Sequence, residues 1–129
     1  MSPFTIQQQV TFLYTRDLAA GSAFLRDKVG LTLALNQFDL CHIYQAAPNA
    51  FLGVCTNRPP AENPAVTYSF VVNDADAAYE TLKSRGVEFE GPPQLSERFN
   101  VYSTFFRGLE SYRFEIQEFR DPSWPAPLA

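Results

Sequence analysis

The chain repeats one structural pattern. Val10-Thr11-Phe12 and Val66-Thr67-Tyr68 open two β-rich runs, and Gly30 and Gly86 close the helical stretch that follows each. Positions 10 to 66 and 30 to 86 are both 56 residues apart. Each half reads strand, helix, then three strands, a repeat of pattern more than of residue identity. Alone, each half would leave one sheet face bare. The two are therefore expected to pack into one α+β domain, with an eight-stranded, incompletely closed curved sheet around a cleft and the helices outside.

The elements follow from local chemistry. The first strand is Val10–Thr15. A helix is predicted over Asp17–Lys28, with Asp17 as N-cap, Leu18, Phe24, Leu25 and Val29 near helical spacing, and Gly30 as the stop. Strands at about Leu31–Leu35, Leu40–Gln45 and Ala50–Thr56 complete module one (9–57), with Pro48-Asn49 turning the last hairpin. Residues 58–65 form a linker, because the prolines at 59, 60 and 64 exclude a central strand or helix interior. Module two (66–119) restarts with Val66–Val72. Asn73 or Asp74 caps a helix that runs to Arg85, with Ala75, Ala78, Tyr79 and Leu82 as its apolar stripe. After Gly86 come Val87-Glu88-Phe89, a Gly91-Pro92-Pro93 turn, and strands at Asn100–Phe106 and Tyr112–Phe119. The tail, 120–129, carries three prolines and is read as extended or loose.

Composition excludes several classes. Ten basic against fourteen acidic residues, a net charge of -4, give no basic stripe for nucleic acid. No run approaches the roughly 18 apolar residues of a membrane span. Met1–Gln9 has neither the basic start nor the apolar run of a signal peptide. Two cysteines are too few for a disulfide scaffold, so a cytoplasmic setting is expected. Twelve Phe, six Tyr and one Trp make 15% of the chain; they either fill a Phe-rich core or line a cavity or subunit interface. No phosphate-cradling glycine loop and no Gly-x-Ser-x-Gly elbow is present.

The paired βαβββ grammar resembles the vicinal oxygen chelate superfamily of glyoxalases, extradiol dioxygenases and bleomycin-resistance proteins. The carrying segments are Thr15-Arg16-Asp17-Leu18 with Ala23-Phe24-Leu25-Arg26-Asp27-Lys28-Val29-Gly30, then Val72-Asn73-Asp74-Ala75-Asp76-Ala77-Ala78-Tyr79, and Phe106-Arg107-Gly108-Leu109-Glu110-Ser111-Tyr112-Arg113-Phe114-Glu115-Ile116. Together they span Gln9 to Phe119. The family's Asp-Pro-Asp-Gly turn is replaced by Gly108-Leu109-Glu110-Ser111. The resemblance implies metal ligands at Val10, near Gly53, at Thr67 and at Glu115, and only Glu115 has a ligand-type side chain. The single histidine, His42, lies on neither relevant strand, and no carboxylate falls between Asp39 and Glu62. One carboxylate with Gln7, Gln8 or Gln9 is a poor donor set for zinc or a first-row metal. Neither metal nor other cofactor is therefore expected.

Carried onto this chain, the resemblance places Val10, Phe12, Tyr14, Thr67 and Ser69 on the cleft face, with Val71 beside them. The opposite parity would turn Thr11, Leu13, Tyr68 and Phe70 inward. Tyr102, Thr104 and Phe106 would extend the wall, and Arg98 would clamp an acidic group from a loop. Glu115 is the candidate catalytic group: buried in the cleft it would act as a general base, or else it is a strand carboxylate bonded to a neighbouring Tyr or Arg. Cys41 falls opposite Cys55. Two thiols packed as small hydrophobes are the expectation, with a cross-strand disulfide or half a soft-metal site as alternatives. His42 reads as an ordinary exposed or hydrogen-bonded strand histidine, with a general base as the alternative.

The expected function is metal-independent binding of a small hydrophobic or aromatic molecule by a homodimer. The alternative is a glyoxalase- or dioxygenase-like lyase, isomerase or oxidoreductase using Glu115. A third reading is a non-catalytic partner subunit.

Overall fold

Each helix starts where its capping residue dictates. Asp17 takes extended backbone, and its Oδ1 accepts the Ala20 amide at 3.0 Å. Asp74 does the same for the Ala77 amide at 3.0 Å. A computed structural model of the chain describes residues 3–127, so the first two positions of the N-terminal stretch and the last two of the tail lie outside the described residues. It divides into two compact units, one up to Pro60 and one from Ala61 onward.

In the first unit β1 (Gln9–Tyr14) leads to α1 (Leu18–Ala23), which passes into a π-helical turn over Phe24–Val29. Gly30 ends it with φ 92°, a left-handed value that glycine adopts without steric cost. β2 (Thr32–Gln37), β3 (Cys41–Ala47) and β4 (Ala50–Cys55) follow. The sheet order is β1-β4-β3-β2, with β1 parallel to β4 and the other pairs antiparallel. In the second unit β5 (Thr67–Val71), α2 (Ala75–Ser84), β6 (Glu88–Phe89), β7 (Gln94–Ser96), β8 (Val101–Arg107) and β9 (Arg113–Phe119) give the order β5-β9-β8-β6, and β7 also pairs with β8. Again the first strand runs parallel to the last. Gly86, φ 89°, follows α2 as Gly30 follows the first helix.

The α+β class and the repeated strand-helix-strand order match the sequence reading, but the strand count does not. Among the described residues nine strands lie in two sheets of four and five, where one sheet of eight was expected. β6 is the strand expected at Val87-Glu88-Phe89, and β7, beyond the expected Gly91-Pro92-Pro93 turn, is an additional strand; both pair with β8, and Pro92 and Pro93, which cannot donate to a ladder, separate them. No helix among the described residues is long and apolar enough to cross a membrane.

Each unit buries one sheet face beneath its helix. In the first, Leu13, Tyr44, Leu52 and Val54 lie on that face, and the buried Phe24 and Leu25 come from the π-helical turn. Gly21 allows α1 to approach closely: a Cβ there would stand 3.0 Å from Val54 Cγ2. In the second, the aromatic core runs Tyr79–Phe89–Phe106–Phe114–Phe70, with ring centroids 4.8 to 6.2 Å apart. Much of the aromatic excess is therefore core. The tail is ordered at its start, where Trp124 stacks on Phe119 with centroids 3.7 Å apart, rather than loose throughout.

The β2–β3 hairpin carries a cost. Leu40 N–H donates to the Gln37 carbonyl at 3.0 Å, and the two central residues, Phe38 and Asp39, both have φ 56°. That is type I′ geometry, which favours Asn or Gly, and a bulky side chain is disfavoured there. Phe38 is also 92% exposed, so its ring returns little burial. Phe38→Asn should stabilise the fold by about 1 kcal/mol, read as a raised midpoint in thermal unfolding. A lowered midpoint would show that the ring makes a stabilising contact.

Candidate functional site

Strand register decides which side chains share a face. In the first unit Val10 pairs with Phe51, Phe12 with Gly53 and Tyr14 with Cys55, while Cys41 and Ile43 pair with Cys55 and Gly53. Val10, Phe12, Tyr14, Phe51, Ile43 and the two cysteines therefore stand on the face away from α1, because Leu13, Val54 and Tyr44 occupy the helix side. Val10 is 39% and Phe12 43% exposed. The Phe12 ring lies over Gly53: a Cβ at 53 would come within 2.6 Å of Phe12 Cδ1, so glycine is what lets the ring lie flat on the sheet.

Cys41 and Cys55 are joined as a disulfide, with Cα atoms 4.1 Å apart. This corrects the expectation of two packed thiols. Directly opposed positions on neighbouring antiparallel strands already bring the two β-carbons within bonding reach.

His42 points the other way, to the helix side. Its Nδ1 lies 2.7 Å from Ser22 Oγ, and Ser22 Oγ is also hydrogen-bonded to the Tyr44 hydroxyl. Ser22, on α1, and Tyr44, on β3, are both buried between the helix and the sheet. His42 is thus the hydrogen-bonded strand histidine the sequence suggested, set in a network that the sequence did not reveal.

In the second unit Thr67, Ser69 and Val71 pair with Arg113, Glu115 and Gln117. These six share the face away from α2, because Tyr68 and Phe70 pack against Phe114 on the helix side. Gln117 Nε2 donates to Ser69 Oγ. Glu115 is half-buried, flanked in register by Ser69 and Phe105. It is less enclosed than the sequence reading supposed.

Tyr102 and Phe106 belong to the opposite face, a second correction. Phe106 is 0% exposed and stacks on Phe114. Tyr102 donates to Asp76 Oδ1 of α2 at 2.7 Å, and that bond holds its phenol above the usual value. Thr104 follows the same parity, and its hydroxyl donates to the Gly91 carbonyl. β8 carries aromatic residues on both faces, so alternation alone could not assign them. Its pairing of Phe105 with Glu115 and Phe106 with Phe114 does. Arg98 lies in the loop after β7 with its guanidinium 5.3 Å from the Phe99 ring centroid.

The side chains missed from sequence are Ser103, Phe105, Arg113 and Glu90. Arg113 lies 3.7 Å above the Phe105 ring centroid and forms a fork with Glu90, at 2.9 and 2.8 Å. The Arg113 hydrogen bond lowers the Glu90 pKa, and the same bond is the main cause raising that of Arg113. Ser103 and Phe105, with Gly91, Gln94, Leu95 and Ser96, line a cavity of about 410 Å³ at the break between β6 and β7. It is large enough for a small organic molecule. Arg113 and Arg107 both lie near Glu90, at 2.8 and 3.8 Å, so two cations share one carboxylate beside the cavity.

The donor set does not suit a metal. Of Val10, Gly53, Thr67 and Glu115, only the last carries a strong ligand. Among the described residues no three His, Cys, Asp or Glu side chains are grouped to hold an ion.

Residues 7–123 match the Glyoxalase/Bleomycin resistance protein/Dioxygenase superfamily. A solved glyoxalase/bleomycin resistance protein/dioxygenase from Nocardioides is 26% identical, with TM-score 0.74, covering 100% of this chain and 92% of its own. The lactoylglutathione lyase of Agrobacterium tumefaciens shares the fold at 21% identity and TM-score 0.71, over 90% and 96% of the two chains. A genomically encoded fosfomycin resistance protein from Listeria monocytogenes shares it at 17% and 0.68, over 85% and 90%. No curated protein sequence matches the chain. With nearly the whole chain matched and the duplicated topology in place, this protein belongs to the glyoxalase/bleomycin resistance protein/dioxygenase superfamily.

Proposed function

We propose that the protein binds a small hydrophobic or aromatic molecule without a metal, on the sheet faces turned away from the helices. One observation carries the reading: those faces present aromatic and apolar side chains, Phe12, Val10 and Ile43 in one unit and Phe105 beside a cavity in the other, where metal-using relatives would need imidazoles and carboxylates. Rigid rings provide contact area at little entropic cost. Thr67, Ser69 and Gln117 supply short polar contacts that would orient a ligand, and Arg98 would clamp an acidic group from its loop. A homodimer and a cytoplasmic setting belong to the same proposal.

Titration with a panel of planar neutral and cationic aromatic compounds should give saturable binding. Phe12→Ala or Phe105→Ala should weaken it about tenfold. No saturable response from the panel would overturn the reading. Glu115 favours a second one, because it is a half-buried carboxylate on the open face beside Phe105 and Arg113, where a general base for a lyase or isomerase would stand. If turnover is found with a candidate substrate, Glu115→Gln should abolish it; an unchanged rate would remove that residue from the mechanism.

A further inference from the structure

We infer that Cys41–Cys55 is a thiol–disulfide exchange site, open to low-molecular-weight thiols at Cys41. Three observations converge. The bond lies on the face away from α1, beside the aromatic residues Phe12 and Tyr14 and on the opposite side of the sheet from Leu13, Tyr44 and Val54. Its two ends differ in access: Cys41 is partly exposed, whereas Cys55 is 1% exposed. Finally, the strands it joins are held together without it, by a ladder running from His42–Val54 to Ala47–Ala50, and β4 is paired on its other edge with β1. Opening the bond therefore does not require the sheet to open.

The chemistry follows from that asymmetry. An incoming thiolate attacks Cys41 Sγ, the Cys41–Cys55 bond breaks, and Cys55 leaves as a thiolate that takes up a proton. A second thiol then attacks the external sulfur of the mixed disulfide and releases Cys41. The sum is two thiols oxidised to one disulfide and one protein disulfide reduced to two thiols. The mixed-disulfide state places a substituent on the sheet face that carries Phe12 and Tyr14.

The test uses the folded chain and 2-mercaptoethanol. The protein is incubated without denaturant, quenched at intervals with N-ethylmaleimide, weighed intact and mapped by peptide. The expected result is a transient mercaptoethanol adduct on Cys41, followed by alkylation of both cysteines, with the circular dichroism of the folded state retained. With the oxidised reagent, Cys55→Ser should be capped at Cys41, and Cys41→Ser should be capped at Cys55 about tenfold more slowly, because Cys55 must first be uncovered by local opening. Three results would overturn the inference: a bond that opens only in denaturant, an adduct that maps to Cys55, or equal capping rates in the two variants. Should a serine variant not fold, the mapping on the unmodified chain decides alone. None of these readouts depends on ligand binding.

Discussion

Phe114→Ala should remove about 3–5 kcal/mol of folding stability, the largest effect of any single substitution considered for this chain. Phe114 is fully buried, and three other rings converge on it: Phe106 at 5.3 Å, Tyr68 at 5.6 Å and Phe70 at 6.2 Å between centroids. Those rings come from β8 and β5, the two strands that flank β9. Truncation would therefore leave a void on three sides, and the hydrogen-bonded ladders on either side prevent collapse into it. Urea unfolding should show a lower midpoint at an unchanged slope, and the thermal midpoint should fall by about 10–20 °C. Phe114→Leu should lose much less, because most of the volume is kept. A loss below about 1 kcal/mol for the alanine variant would mean that the site refills, and the aromatic stack would not be what holds the second sheet to its helix.

How much of this was legible in the sequence depends on the kind of signal. Caps and stops are local chemistry, and Asp17, Asp74, Gly30 and Gly86 act in the structure as they read in the chain. The opposition of Cys41 and Cys55 followed from the Pro48-Asn49 turn, since hairpin register is fixed by its loop. What failed were inferences that need two distant facts at once. β8 alternates Tyr, Ser, Thr, Phe, Phe, with aromatic residues in both phases, so only the β9 pairing shows that Phe105 faces Glu115 while Phe106 enters the core. The separation of β6 from β7 is written in Pro92 and Pro93, yet that both strands join the same partner is a tertiary result. The Ser22–His42–Tyr44 network depends on α1 lying across β3, and no spacing in the sequence announces it.

That network supports the second large prediction. Ser22 Oγ stands between the Tyr44 hydroxyl and His42 Nδ1, and both Ser22 and Tyr44 are sealed from water. Ser22→Ala leaves a buried phenol without this bond and takes one from an imidazole nitrogen, which should cost about 1–3 kcal/mol. Tyr44→Phe removes the phenol itself and leaves Ser22 bonded to His42, so its cost should lie at the lower end of that range. It also deletes an interaction between Tyr44 and the Arg26 guanidinium, which a matched Arg26→Met variant can separate. In the double variant Ser22→Ala/Tyr44→Phe the buried hydroxyl disappears together with its partner. Its cost should therefore fall short of the sum of the singles, by about 0.5 kcal/mol or more. Strict additivity in urea unfolding would show that the two hydroxyls are not coupled. Coupling would instead make the pair a polar pin between α1 and β3 at the point where the helix widens into its π-helical turn. A pin there would hold in register the strand whose other face carries Cys41 and Ile43, joining the buried polar network to the exposed face proposed to bind ligand.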